Sequence, residues 1–261
     1  MPRRRSAARR RRRRGSLGPL LRVLSVVLAA AAIVAALTLF FKVDRVEVSG
    51  GGRYTEEEIR SACGVERGDN LVLLNKYGVA QRIYTALPYI TEVSVNRQFP
   101  DALLIEVVET RAAAAVRGSD GAWWLVSAGG KLLEAVDSEA AKDYLLLKGM
   151  TAADPAAGGR LTLGEEDNLD AETLLDLLSA MDSRGVLSRT DSVDASDPAQ
   201  LTLDYDGRFQ VEIGYRADFG FKMDCLLAAV ALLEPNETGI IRMTMSDDSE
   251  ARFIPGGGPG G

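Results

Sequence analysis

The chain has 261 residues, 46% of them hydrophobic, and a formal net charge of −6 from 31 basic and 37 acidic side chains. It contains no histidine, which removes histidine-activated nucleophiles, the common zinc sites and the metalloprotease helix. The net charge joins two unlike parts: residues 1–22 hold ten arginines and no acid, whereas 23–261 carry −16, a balance that repels nucleic acid.

Nineteen residues without a charge run from Val23 to Phe41, about 29 Å as a helix and close to the thickness of bilayer hydrocarbon. The block Arg9–Arg14, with Arg22 at the edge of the run, predicts that the N-terminus stays in the cytoplasm and the rest lies beyond the membrane. A cleaved signal peptide with a site near Ala29–Ala32 is the rival reading. The apolar run continues through Ile33, Val34, Leu37, Leu39, Phe40 and Phe41, which a cleaved leader would not need, so an uncleaved anchor is expected.

The next stretch reads as a βααββ unit. Val46 and Val48 alternate with charges as in a half-buried strand ended by Gly50–Gly52. Thr55 and Glu58 have capping-box spacing, and Gly64 terminates that short helix. Ala80, Ile83, Tyr84 and Leu87 follow helical periodicity up to Pro88. Val93 and Val95, then Leu103, Ile105 and Val107, predict two strands joined at Phe99-Pro100-Asp101. Two helices on one face of three strands would close a core of about 70 residues.

Beyond Arg117 the pattern becomes strand-rich. Trp123–Val126 and Lys131–Val136 predict a hairpin around Ser127–Gly130, and Tyr144–Lys148 another strand. Leu174, Leu177, Leu178 and Met181 mark an amphipathic helix with Asp170 at its N-cap. Leu201, Leu203 and Tyr205, then Phe209, Val211 and Ile213, alternate around Asp206-Gly207, the strongest hairpin pattern in the chain. A helix from about Asp218 to Glu234 stops at Pro235, a strand runs from Gly239 to Met245, and Ile254 falls in a short terminal strand.

Catalytic chemistry is not indicated. Asp204-Tyr205-Asp206-Gly207 has neither register of a calcium loop and reads as a turn. Cys63 and Cys225 read as small hydrophobes rather than a disulfide. In an alternating strand at most one of Trp123 and Trp124 is available to a ligand. No catalytic, cofactor or metal residue is assigned.

In order along the chain stand Phe41, Val46-Glu47-Val48-Ser49-Gly50, the Gly64 to Gly68-Asp69-Asn70-Leu71 link, Leu87-Pro88-Tyr89-Ile90, Val95-Asn96-Arg97-Gln98-Phe99-Pro100 and Leu103 to Glu109. On these motifs the chain resembles the FtsQ/DivIB family of bacterial cell-division proteins. It departs from the family's Glu-Arg-x-Pro with Glu109-Thr110-Arg111-Ala112-Ala113, and its second half resembles the family through Gly129-Gly130, the Asp206-Gly207 hairpin and Phe221-Lys222. The fold class implied is α+β. Its segments are a basic tail over 1–19, a transmembrane helix over 20–41, a POTRA-like domain over 42–112, a β domain over 113–254 and a disordered Gly/Pro tail over 255–261.

The resemblance implies a non-enzymatic, single-pass scaffold at the division septum, joining FtsL-like and FtsB/DivIC-like partners upstream of septal peptidoglycan synthesis. Contact with peptidoglycan itself is left open. A strand at a sheet edge offers unpaired N–H and C=O groups to a partner strand. Ile240, Ile241, Arg242, Met243, Thr244 and Met245 are the residues expected to do this, the alternative being that they form an internal strand. A POTRA-containing transport or outer-membrane assembly component and a cell-wall enzyme are the competing readings. The first needs a cleaved N-terminus and many more amphipathic strands.

Overall fold

A computed structural model describes residues 17–215, 218–243 and 251–256. The arginine block, Thr244, Met245 and residues 257–261 of the Gly/Pro tail lie outside the described residues.

The first element is α1, Leu17–Phe40, 24 residues long. Its side chains are described over 21–36 and at Phe40, and no helix among the described residues is long and apolar enough to cross a membrane. Within that stretch Leu24, Val26, Val27, Leu28, Ile33 and Val34 are all exposed, so no part of the described protein covers them.

Next comes a small α+β unit: β1 (Arg45–Ser49), α2 (Glu56–Cys63), α3 (Lys76–Ala86), β2 (Ile90–Gln98) and β3 (Ala102–Glu109). The strand order is β1-β3-β2, with β1 parallel and β2 antiparallel to β3. The capping box closes as expected: the Thr55 hydroxyl accepts from Glu58 N–H and the Glu58 carboxylate from Thr55 N–H. Gly64 ends α2 at φ 59°. Arg82 of α3 then donates through Nε and Nη2 to the Cys63 carbonyl at 2.9 and 2.7 Å, satisfying an orphan acceptor of the α2 terminus. Ile59, Cys63, Val79, Ile83, Val95, Leu103, Ile105 and Val107 make the core. Tyr84 is not in it. Its ring lies under the Lys131 ammonium, 3.5 Å from the centroid, in the joint with the second unit.

The second unit is one nine-stranded mixed sheet: β4 (Ala112–Gly118), β5 (Trp123–Ser127), β6 (Leu132–Val136), β7 (Leu145–Ala152), β8 (Thr190–Asp194), β9 (Leu201–Tyr205), β10 (Phe209–Ile213), β11 (Gly239–Met243) and β12 (Arg252–Pro255). They lie in the order β12-β11-β10-β9-β8-β7-β4-β5-β6. Helices α4 (Ala171–Ser183) and α5 (Phe219–Ala231) cover one face. Asp170 caps α4 and Asp218 caps α5, each accepting a backbone N–H three residues on. In the hairpin between β9 and β10, Asp206 and Gly207 stand at φ 60° and 62°, the signature of a type I′ turn, and Arg208 N–H bonds the Tyr205 carbonyl.

Side chains of the β4–β5–β6 end alternate between two cores. Ala114, Val116, Val126 and Leu132 face the helices, whereas Ala115, Leu125 and Leu133 face the small unit around Tyr89. Polar contacts complete the joint: Tyr89 donates its hydroxyl to Glu134 at 2.5 Å, Arg53 bridges to Glu134 at 2.9 Å, and Lys131 Nζ donates to the Ile90 carbonyl at 2.6 Å. Lys131 is 6% exposed and its ammonium donates to the Tyr84 and Ile90 carbonyls, and burial pushes its pKa down to about 8.

Candidate functional site

The segment expected to offer a free sheet edge is not at an edge. β11 lies parallel to β10 on one side and antiparallel to β12 on the other, with Ile240 opposite Ile254, Ile241 opposite Phe253 and Arg242 opposite Arg252. Its backbone groups are therefore shared between two neighbours. Ile241 and Met243 are buried in the main core, while Ile240 and Arg242 lie half-buried on the opposite face. Arg242 donates Nε to the buried Glu212, its register partner on β10, and that bond pushes the guanidinium pKa up.

The edge belongs to β12. Among the described residues no strand pairs with its outer side. Gly256 N–H bonds the Thr238 carbonyl at 2.9 Å. By the alternation of an antiparallel ladder, Ile254 and Arg252 then turn their backbone groups inward to β11, and Phe253 turns its N–H and C=O outward. Pro255 lacks an N–H and leaves only a carbonyl on that side, a residue suited to an edge. The Phe253 ring packs edge-on against Phe209, with centroids 6.1 Å apart, which fixes the short strand on the sheet.

The edge residues Arg252, Phe253 and Pro255 were not singled out from the sequence. Phe253-Ile254 ahead of a proline was the available signal, but four residues give too short a period to rank above the longer apolar run at Gly239. Among the described residues no group of three or more His, Cys, Asp or Glu is placed to hold a metal ion. One cavity, about 560 Å³, is an open groove between Arg111, Tyr144, Asp182 and Asp191, in which the Ser188 and Thr190 hydroxyls donate to backbone carbonyls.

Residues 41–110 match the family model for the FtsQ-type POTRA domain. The chain is 29% identical over 165 residues to the cell division protein FtsQ of Syntrophotalea carbinolica, an alignment covering 63% of this chain and 54% of that one. It is 29% identical over 201 residues to FtsQ of Geobacter sp. strain M21, covering 76% and 70%. Against the cell division protein DivIB of Clostridium botulinum it is 28% identical over 95 residues, 36% of either chain. Across the first three curated relatives the chain spans about half their length, from 44% to 54%. The small unit is an FtsQ-type POTRA domain, and the chain is a relative of the FtsQ and DivIB cell-division proteins.

Proposed function

We propose that the chain is a bitopic, non-enzymatic scaffold of the bacterial division machinery. In this reading the helix around 20–41 spans the cytoplasmic membrane, and the POTRA domain of 42–112 and the sheet domain of 113–254 stand outside it. The chain gathers at the septum with FtsL-like and FtsB/DivIC-like partners. The membrane assignment rests on the full uncharged run from Val23 to Phe41, which extends past the stretch of α1 whose side chains are described, with the arginines ahead of it and the uncovered apolar side chains of α1.

The observation that carries the scaffold reading is the open edge of β12 at the end of a sheet attached to an FtsQ-type POTRA domain. An edge strand takes up a partner segment through main-chain hydrogen bonds. The partner-binding residues move accordingly from the span of Ile240 to Met245 to Phe253 and its neighbours, with β11 as the strand that supports them.

Two substitutions test this. Phe253→Ala removes the ring and keeps the outward N–H; Phe253→Pro removes both. Co-purification of the FtsB/DivIC-type protein of the same cells is expected to survive the first and fail with the second. Undiminished capture by a folded Phe253→Pro chain would reject this interface. Peptidoglycan turnover by the purified chain would reject the non-enzymatic reading.

A further inference from the structure

At one end of the POTRA domain four large apolar side chains face outward. Phe40 is 76% exposed, Leu73 72%, Tyr77 86% and Phe99 57%. Phe40, Phe99 and Leu73 lie at one end of the domain and Tyr77 follows three residues after Leu74, and a surface exposed on this scale meets something apolar.

The backbone brings them together. β1 begins, β3 begins and β2 ends at this edge of the small sheet, since Arg45 and Gln98 both pair with Ala102. Phe99 lies in the β2–β3 turn there. The Phe41 ring bridges Phe40 and Phe99, with centroids 5.7 and 5.2 Å away. Leu71 N–H bonds the Phe41 carbonyl at 2.9 Å, and Arg97 Nη2 bonds the Leu74 carbonyl at 2.6 Å. Those two bonds tie the turn carrying Leu73 to the same end. Asn70 Oδ1 accepts the N–H of Val72 and Leu73, holding Leu73 outward.

The geometry points to this rim as a bilayer-seating face of the POTRA domain, its apolar side chains set into the headgroup layer of the membrane that α1 crosses. The inference rests on the transmembrane reading of α1. A helix of 24 residues rises about 36 Å, against about 30 Å of hydrocarbon and 40–45 Å with headgroups. Phe40 therefore ends α1 at headgroup level. Phe99 follows at the distance of two ring contacts, within the depth of that layer. Tyr77, in the first turn of α3, has the amphipathic ring that favours such a boundary, and the wholly apolar Phe99 ring suits its hydrocarbon side. Lys42 and Lys76 adjoin the rim in sequence and suit lipid phosphates. A partner protein covering the same rim is the alternative, which the experiment separates.

The test uses the full chain in nanodiscs of phosphatidylethanolamine and phosphatidylglycerol, without other proteins. p-Benzoylphenylalanine replaces Leu73 or Phe99 at the rim, Val27 within α1, or Leu232, which is 88% exposed in the sheet domain. Lipid adducts are read by mass spectrometry after irradiation. The rim positions are expected to give adducts near the Val27 yield and at least about tenfold above Leu232. Adducts at Val27 with none at Leu73 or Phe99 would overturn the seating face and leave the span intact. No adduct at Val27 would overturn the span and the seating face together. Equal yields at Leu73 and Leu232 would show indiscriminate contact and also reject the proposal.

Discussion

Glu109 makes a quantitative test of how the POTRA domain is held closed. At the end of β3 its carboxylate accepts three consecutive backbone N–H groups: Gly52 and Arg53 at 2.8 Å on Oε2, and Tyr54 at 3.1 Å on Oε1. These bonds anchor the loop between β1 and α2, where Gly50 and Gly51 stand at φ 84° and 87°. Bonds to a charged acceptor contribute about 1.5–3 kcal/mol in favourable sites, and this half-exposed site belongs at the low end. Glu109→Ala should cost the loop about 2–3 kcal/mol of opening free energy, because the three donors share one acceptor and their contributions do not add. Glu109→Gln keeps one oxygen but turns an NH2 toward one of the donors, at about 1–2 kcal/mol. Hydrogen exchange across residues 50–58 reads this directly. Amides 52–54 should exchange about 30- to 160-fold faster in Glu109→Ala, with β9 and β10 unchanged. Acceleration below about twofold would show that the loop is held by something other than this carboxylate.

Three further outcomes follow from burial and backbone geometry. Lys131 has a folded-state pKa of about 8, below the roughly 10.4 of an unfolded lysine, so the folded protein binds fewer protons in that window and gains stability as pH rises through it. The gain is at most about 3 kcal/mol, since the Ile90 carbonyl and the Tyr84 ring favour the charged form. Urea midpoints from pH 7 to 10 should therefore rise in the wild type relative to Lys131→Met, and parallel profiles would contradict the assignment. Gly50→Ala should destabilise by about 3 kcal/mol or more, because the new Cβ would stand 2.1 Å from the Val107 carbonyl oxygen at φ 84°. Gly68→Ala, with nothing within 4 Å at φ 102°, should cost about 1–2 kcal/mol, and thermal melts showing the reverse order would refute the clash argument. Leu178→Ala, fully buried in α4, should lose about 3–4 kcal/mol in urea unfolding, and a loss under about 1 kcal/mol would mean that α4 does not seal the sheet.

The POTRA domain was legible because each of its elements carries a local stop or start. Thr55 with Glu58, Gly64, Pro88 and the alternation about Phe99-Pro100 fix the elements without knowledge of their partners. The same holds for the Asp206-Gly207 turn and the Asp170 cap. β4 was missed because Ala112–Ala115 have poor strand propensity, and what makes them a strand is burial between two layers. β8, Thr190–Asp194, is too polar to read as central, yet it lies inside the sheet with Ser192 donating to Asp204 and Thr190 to the Val186 carbonyl. The open sheet edge lies one strand beyond the segment singled out from the sequence. Apolar alternation marked Gly239–Met243 correctly as a strand, but periodicity reports burial and not which strand comes last. That order depends on a crossover through α5 that makes β10 and β11 parallel.

The mixed sheet also has a geometric bearing on assembly. Nine strands at about 4.8 Å separate the centre lines of β6 and β12 by roughly 38 Å, and right-handed twist turns successive strands by about 20–25°. Summed over eight steps the rotation approaches half a turn. Any chain zipped alongside β12 therefore leaves on a heading dictated by the whole stack, and a single bulge added near β8 would re-aim it without touching a contact.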